Sequence, residues 1–108
     1  PGPFTFVLEA TQVVPQMMQT KQRQVGLRVP QAPLMLAIAA RLGHPIVTTS
    51  ATDRDGAPLI DARAIKDELG SRIDLILDGG VQPLEPSTVV SLIGDQIEVL
   101  RQGKGLIV

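Results

Sequence analysis

The stretch from Gly43 to Gly56, GHPIVTTSATDRDG, constrains the fold more than any other part of the chain. Ile46-Val47-Thr48-Thr49 is β-branched throughout, a composition that suits a buried strand, and hydroxyls and carboxylates replace it within a few residues. A chain with that profile leaves a sheet and exposes polar groups. Loops at the carboxyl ends of strands are where open α/β sheets place ligands, because backbone amides are unpaired there above a rigid apolar scaffold. Thr48, Thr49, Ser50 and Thr52 would bring hydroxyls to such a crevice, with Asp53 and Asp55 close behind, and a phosphate or carboxylate would fit the cup. The same residues equally suit an Asx- and Ser-rich connecting loop that holds no ligand.

Around this stretch the pattern alternates between strand and helix. Phe4-Thr5-Phe6-Val7-Leu8 follows a Pro-Gly-Pro opening and has strand composition. A short helix is expected near Pro15, since proline is accepted in a first helical turn. Gln24 to Val29 alternates polar or small with apolar residues and is stopped by Pro30, which predicts a strand. Leu34 to Leu42 is apolar except for Arg41, with Pro33 ahead and Gly43 behind, so a helix is expected that is either packed on both sides or separated from something that covered it. Asp61 predicts an N-cap for a helix over residues 62–69, with Ala62, Ile65 and Leu69 on one stripe and Gly70 at its end. Ile73 to Leu77 is expected as another buried strand, followed by an Asp78-Gly79-Gly80 turn and a proline-containing loop. Residues 88–92 and 96–100, joined around Gly94-Asp95, predict a β-hairpin. Gly103-Lys104-Gly105 then loosens the chain before its apolar end, Leu106-Ile107-Val108. The fold class implied is α/β, one domain with a twisted mixed parallel and antiparallel sheet and flanking helices.

Composition narrows the function. The 108 residues carry 10 basic and 11 acidic side chains, a formal net charge of −1, so no overall field draws the chain to nucleic acid or to an anionic membrane. Absence of cysteine removes disulfides, thiolate metal sites and thiol nucleophiles, and accords with a reducing cytoplasm. No apolar run reaches the roughly 18 residues of a membrane span, and the Pro1-Gly2-Pro3 start does not resemble a signal peptide. With two Phe, no Tyr and no Trp, no aromatic platform for stacking several bases is available.

Several residues have the chemistry of a site, and each also has a plain structural reading. Ser87, in Pro86-Ser87-Thr88 at a strand start, can donate to an anion or satisfy local backbone. Arg28, near a strand end, can pair bidentately with a carboxylate or phosphate, or lie solvated on the surface; Arg101 invites the same two readings. Asp53, Asp55 and Asp61 lack the calcium-loop spacing and are more simply turn and capping carboxylates, so no metal site is assigned. Asp78-Gly79-Gly80 suits a turn needing positive φ better than a phosphate nest. His44, the one histidine, precedes proline in a turn. Neither G-x-x-x-x-G-K-[ST] nor G-x-G-x-x-G occurs, and no G-x-S-x-G supports a serine triad.

The segments Pro1-Gly2-Pro3-Phe4-Thr5-Phe6, Leu27-Arg28-Val29-Pro30, Pro45 to Ala51, Asp74 to Gly80, Pro86-Ser87-Thr88-Val89-Val90 and Leu100-Arg101-Gln102-Gly103 occur in the order seen in the YrdC/YciO family. The chain resembles the carboxyl-terminal half of that family's domain, and Gly26 to Pro30 with Arg101 to Gly105 is more similar to the YciO branch. Where the family has S-A-N, this chain has Ser50-Ala51-Thr52 in a loop one residue longer, which replaces a paired amide donor and acceptor with a hydroxyl. The family's lysine-arginine, P-T-[ED]-[TS] and K-x-R motifs have no counterpart here. The resemblance implies a threonylcarbamoyl-AMP synthase-like nucleotidyltransferase that joins L-threonine, bicarbonate and ATP, with Mg2+ accompanying ATP, for tRNA modification. By that resemblance Arg28, Ser50 and Ser87 would lie on the threonine side and Thr48 and Arg101 by the nucleotide, with no catalytic residue assigned. A non-catalytic module binding nucleotide or double-stranded RNA is the alternative, and exposed strand edges or the apolar helix would allow a homo-oligomer.

Overall fold

Alternation of large apolar residues with small or polar ones in Phe-Thr-Phe-Val-Leu-Glu makes Phe4–Glu9 the first strand, β1. In the computed structural model, which describes residues 1–107, β1 pairs antiparallel with β2 (Gln24–Arg28) and parallel with β3 (Thr88–Ser91). Strand β4 (Glu98–Arg101) returns antiparallel to β3, so the mixed sheet has the order β2-β1-β3-β4. The expected hairpin therefore forms, with Gly94 in its connection at φ +70°.

Register assigns the side chains to two faces. Phe6 lies opposite Leu27 and Val90, and Leu8 opposite Val25; the best-buried apolar side chains, Val90 and Val25, belong to this face. Phe4 and Phe6 stack on it with ring centroids 5.9 Å apart. The other face carries Thr5, Val7 and Val89.

Thr88 fastens the carboxyl-terminal turn to the sheet. Wholly buried, its hydroxyl donates to the Gly105 carbonyl at 2.7 Å and accepts the Gly103 amide at 2.9 Å, while its own amide reaches the Pro3 carbonyl at 2.9 Å. Lys104 N donates to the Pro86 carbonyl at 2.9 Å. This approach needs glycine on both sides of Lys104. A side chain at Gly103 would run into the Pro86 and Ser87 carbonyls, and one at Gly105 into the Phe4 ring.

The chain divides into two compact units. One joins Pro1–Leu36 to the segment from Glu85 onward, and the other is Ala37–Leu84. Helix α1 (Pro33–Leu42) ends as expected, with Gly43 at φ +75° and its amide on the Ala39 carbonyl at 2.9 Å. Of the two expectations for it, the uncovered helix is the one found: no residue of α1 is buried, with Met35, Leu36, Ile38 and Ala39 half-buried and Leu34 and Leu42 exposed. Helix α2 (Ala62–Leu69) has Asp61 as its N-cap, the carboxylate accepting from Ala64 N at 2.7 Å.

Three expectations are corrected. The short helix near Pro15 is a single 3-10 turn, Gln16–Met18. Neither Ile46–Thr49 nor Ile73–Leu77 forms a strand, since a strand exists only by pairing and these backbones find no partner among the described residues. Val108, the last residue of the apolar end, lies outside the described residues.

Thr88→Val keeps the shape of the side chain and removes both hydroxyl bonds, so a loss of about 1–3 kcal/mol is expected from the urea midpoint. Asp61→Ala should cost about 1 kcal/mol, with reduced helical circular dichroism.

Candidate functional site

On the Thr5 face of the sheet, polar residues from four segments fall into one row. Arg28, at the end of β2, lies opposite Thr5 in register, and Thr5 lies opposite Val89, which in turn lies opposite Arg101. Ser87 stands two residues before Val89 and so shares its face. The Thr5 and Ser87 hydroxyls are hydrogen-bonded at 2.7 Å. Arg101 grips Ser87 from the other side: its Nε and Nη2 donate to the Ser87 carbonyl at 3.1 and 2.8 Å, and Nη2 also donates to Ser87 Oγ at 3.3 Å. Three of the residues singled out from sequence, Arg28, Ser87 and Arg101, are thus ordered across the sheet with Thr5 between the first two.

A register shift places Arg101 in this row. Val90 pairs with Val99, but Val89 pairs with Arg101 rather than Leu100, so Leu100 is an extra residue in β4. In an unshifted ladder Leu100 would take the place beside Val89 and Arg101 would turn to the apolar face. The bulge carries the guanidinium to the side where Ser87 is.

The chemistry of the row follows from the donor count. Ser87 Oγ has one proton and two lone pairs, and it accepts from Arg101 Nη2. When Thr5 is the donor in their shared bond, the Ser87 proton is left for an acceptor outside the protein. Arg101 spends Nε and Nη2 on Ser87, and Nη1 takes no partner among the described residues. Ser87 is buried while both arginines are exposed, so two solvent-facing cations flank a fixed hydroxyl pair. Across three strand spacings the backbones of Arg28 and Arg101 are about 14 Å apart, room for a ligand with two anionic groups. Thr5 was not singled out as a site residue from the sequence; a hydroxyl alone among Phe4, Phe6, Val7 and Leu8 was the available signal.

In the Ala37–Leu84 unit, Thr48 and Ser50 lie on the unpaired stretch and are exposed. The carboxylates nearby are occupied by the backbone. Asp53 Oδ1 accepts the amides of Asp55 and Ala57, each at 2.9 Å, in a tight turn closed by the Thr52–Pro58 bridge and Gly56 at φ +84°. Asp78 Oδ1 accepts the Gly80 amide at 2.9 Å, with Gly80 at φ +89°. His44 Nδ1 lies 2.8 Å from the Pro45 carbonyl. Among the described residues no three His, Asp or Glu side chains are grouped to hold a metal ion.

Comparison with known proteins accords with this arrangement. Residues 1–103 match the family model Sua5/YciO/YrdC, described as "Telomere recombination". The chain is 38% identical over 97% of its length to the Escherichia coli protein YciO, itself called uncharacterized, and covers 52% of that protein. Its backbone superposes on the crystal structure of E. coli YciO with a TM-score of 0.90. It is 31% identical to the threonylcarbamoyl-AMP synthase of Coxiella burnetii, covering 94% of this chain and 54% of the synthase. The crystal structure of P. abyssi Sua5 complexed with L-threonine superposes with a TM-score of 0.86 at 29% identity, over 95% of this chain and 31% of that one. The chain spans about half the length of the curated relatives it matches. With nearly every residue inside the matched region and the sheet that holds Arg28, Ser87 and Arg101 in common, this chain belongs to the Sua5/YciO/YrdC family.

Proposed function

We propose that the chain carries the threonine-facing and part of the nucleotide-facing surface of a threonylcarbamoyl-AMP synthase-like nucleotidyltransferase. The reaction joins L-threonine, bicarbonate and ATP into threonylcarbamoyl-adenylate and diphosphate. The observation that carries the reading is the hydrogen-bonded row that runs from Thr5 through Ser87 to Arg101, with Arg28 beside Thr5. Relatives named threonylcarbamoyl-AMP synthase, and the threonine complex of Sua5, support the choice of substrate.

In this reading the Arg28 guanidinium pairs with the threonine carboxylate, and the Ser87 hydroxyl orients the amino acid. The threonine amine is carboxylated by bicarbonate with loss of water, the resulting carbamate oxygen attacks the α-phosphorus of ATP, and diphosphate leaves. Negative charge grows on the phosphoryl oxygens as that bond forms. Arg101, with Nη1 to spare, donates to those oxygens, and a donor already in place costs no reorganisation. Adenylate formation of this kind needs positioning and charge stabilisation rather than a covalent nucleophile, which accords with a chain without cysteine. Mg2+, if it accompanies ATP as in the resembled family, would be held by the ATP phosphates and would offset part of their negative charge.

Titration with L-threonine, followed by amide chemical shifts, is expected to perturb Arg28 and Ser87; MgATP is expected to perturb Arg101. Flat titrations with both ligands overturn the reading. Removing a charge-assisted bond is worth roughly 1.5–3 kcal/mol, so Arg28→Ala should weaken threonine binding by about tenfold or more. Thr5→Val should diminish the threonine response at Ser87 several-fold, while Thr5→Ser, which keeps the hydroxyl, preserves it.

A further inference from the structure

The connection from β1 to β2 is an ordered excursion with its own hydrogen bonds. Its ends are held together, the Ala10 amide donating to the Arg23 carbonyl at 2.8 Å just beyond the Glu9–Gln24 pair. Within it the Met18 amide reaches the Pro15 carbonyl at 2.9 Å, Gln19 Nε2 the Val14 carbonyl at 2.9 Å, and the Arg23 amide the Thr20 carbonyl at 3.0 Å. Arg23 stands at φ +59°, the one non-glycine residue at positive φ among those described. Compact surface loops closed by their own bonds are frequent carriers of function. The side chains of this one are divided. Val14 and Met18 are half-buried, whereas their neighbours Val13 and Met17 are each 88% exposed. Lys21 and Arg23 are exposed on the same excursion, and from Ala10 to Thr52 the chain carries four basic residues and not one Asp or Glu. The near-neutral total charge conceals this local excess.

We propose that residues 11–23 form a docking surface for an acidic protein segment that carries apolar anchor residues. The cations of an acid-free stretch complement carboxylates, and Val13 and Met17 offer the apolar contact that a protein partner can fill. Methionine adapts to varied apolar partners, and methionine and arginine are both enriched in protein interfaces. Nucleic acid is a poorer occupant, because it would set Val13 and Met17 against phosphates and the excursion has no aromatic side chain on which a base could stack. An anionic membrane is poorer too, since each of the two cations is worth only about 1 kcal/mol at such a surface and two apolar side chains add little anchorage. The excursion lies at the end of the β1–β2 hairpin away from Arg28, about 13 Å along β1 from Thr5. Docking there leaves the polar row open, so the inference is independent of threonine or nucleotide binding.

The test titrates the 108-residue chain with a synthetic peptide of mixed glutamate, aspartate and leucine, followed by amide chemical shifts. Shifts should concentrate in residues 11–23 and leave Arg28 and Ser87 unmoved. A peptide with amides in place of its carboxylates, and another with serines in place of its leucines, should each bind about tenfold more weakly or worse. Raising the salt should weaken the acidic peptide alone, because the charges that meet are solvent-exposed. Met17→Ser, at a position too exposed to disturb the fold, should weaken binding by about fivefold or more, while Met17→Leu preserves it. Lys21→Gln should weaken it several-fold, and Lys104→Gln, an exposed cation outside the excursion, should leave it unchanged. Absence of shifts in residues 11–23, or equal binding of the uncharged peptide, overturns the proposal. So does a stronger response of the same amides to double-stranded RNA or to phosphatidylserine vesicles.

Discussion

The Thr88 hydroxyl is the contact on which the rest of the sheet depends. A buried hydroxyl is costly unless both its capacities are used, and here the Gly105 carbonyl and the Gly103 amide use them. The bonds bring the turn after β4 against the start of β3, and the Lys104 amide on the Pro86 carbonyl closes the same joint. Because Pro3 holds the Thr88 amide, the amino-terminal Pro-Gly-Pro is drawn into it as well. Segments far apart in the chain meet at one residue, and glycine at 103 and 105 is the condition for meeting so closely.

The polar row follows from that joint. With Thr88 locked on the apolar side, its neighbour Ser87 must face the other way, toward Thr5, by the alternation of a strand. The extra residue in β4 then turns Arg101 to the same side, where it grips both the carbonyl and the hydroxyl of Ser87. No motif specifies this convergence by itself. It is the product of one fixed hydroxyl, one alternation and one bulge.

The sequence was legible where structure is local and illegible where it depends on partners. The Asp61 cap, the Gly43 helix stop and the Gly94 connection are decided within a few residues, and each is found where local chemistry predicts it. The mixed sheet was legible too, because Phe4–Glu9, Thr88–Ser91 and Glu98–Arg101 find their neighbours within this chain. Ile46–Thr49 and Ile73–Leu77 have equally good strand composition and no paired neighbour among the described residues, and composition cannot supply one. For the same reason Arg28 and Ser87 were legible as chemistry but not as a row, and Thr5 not at all, since its part is fixed by register with residues more than eighty positions away.

Opposite duties on adjacent residues have a bearing on how such a fold diversifies. Thr5, Ser87, Val89 and Arg101 look toward one side, while Phe4, Phe6, Thr88 and Val90 look toward the other. The chemistry of one face can therefore change position by position without disturbing the frame held by the other. A lineage can retain its architecture while that polar face is rewritten.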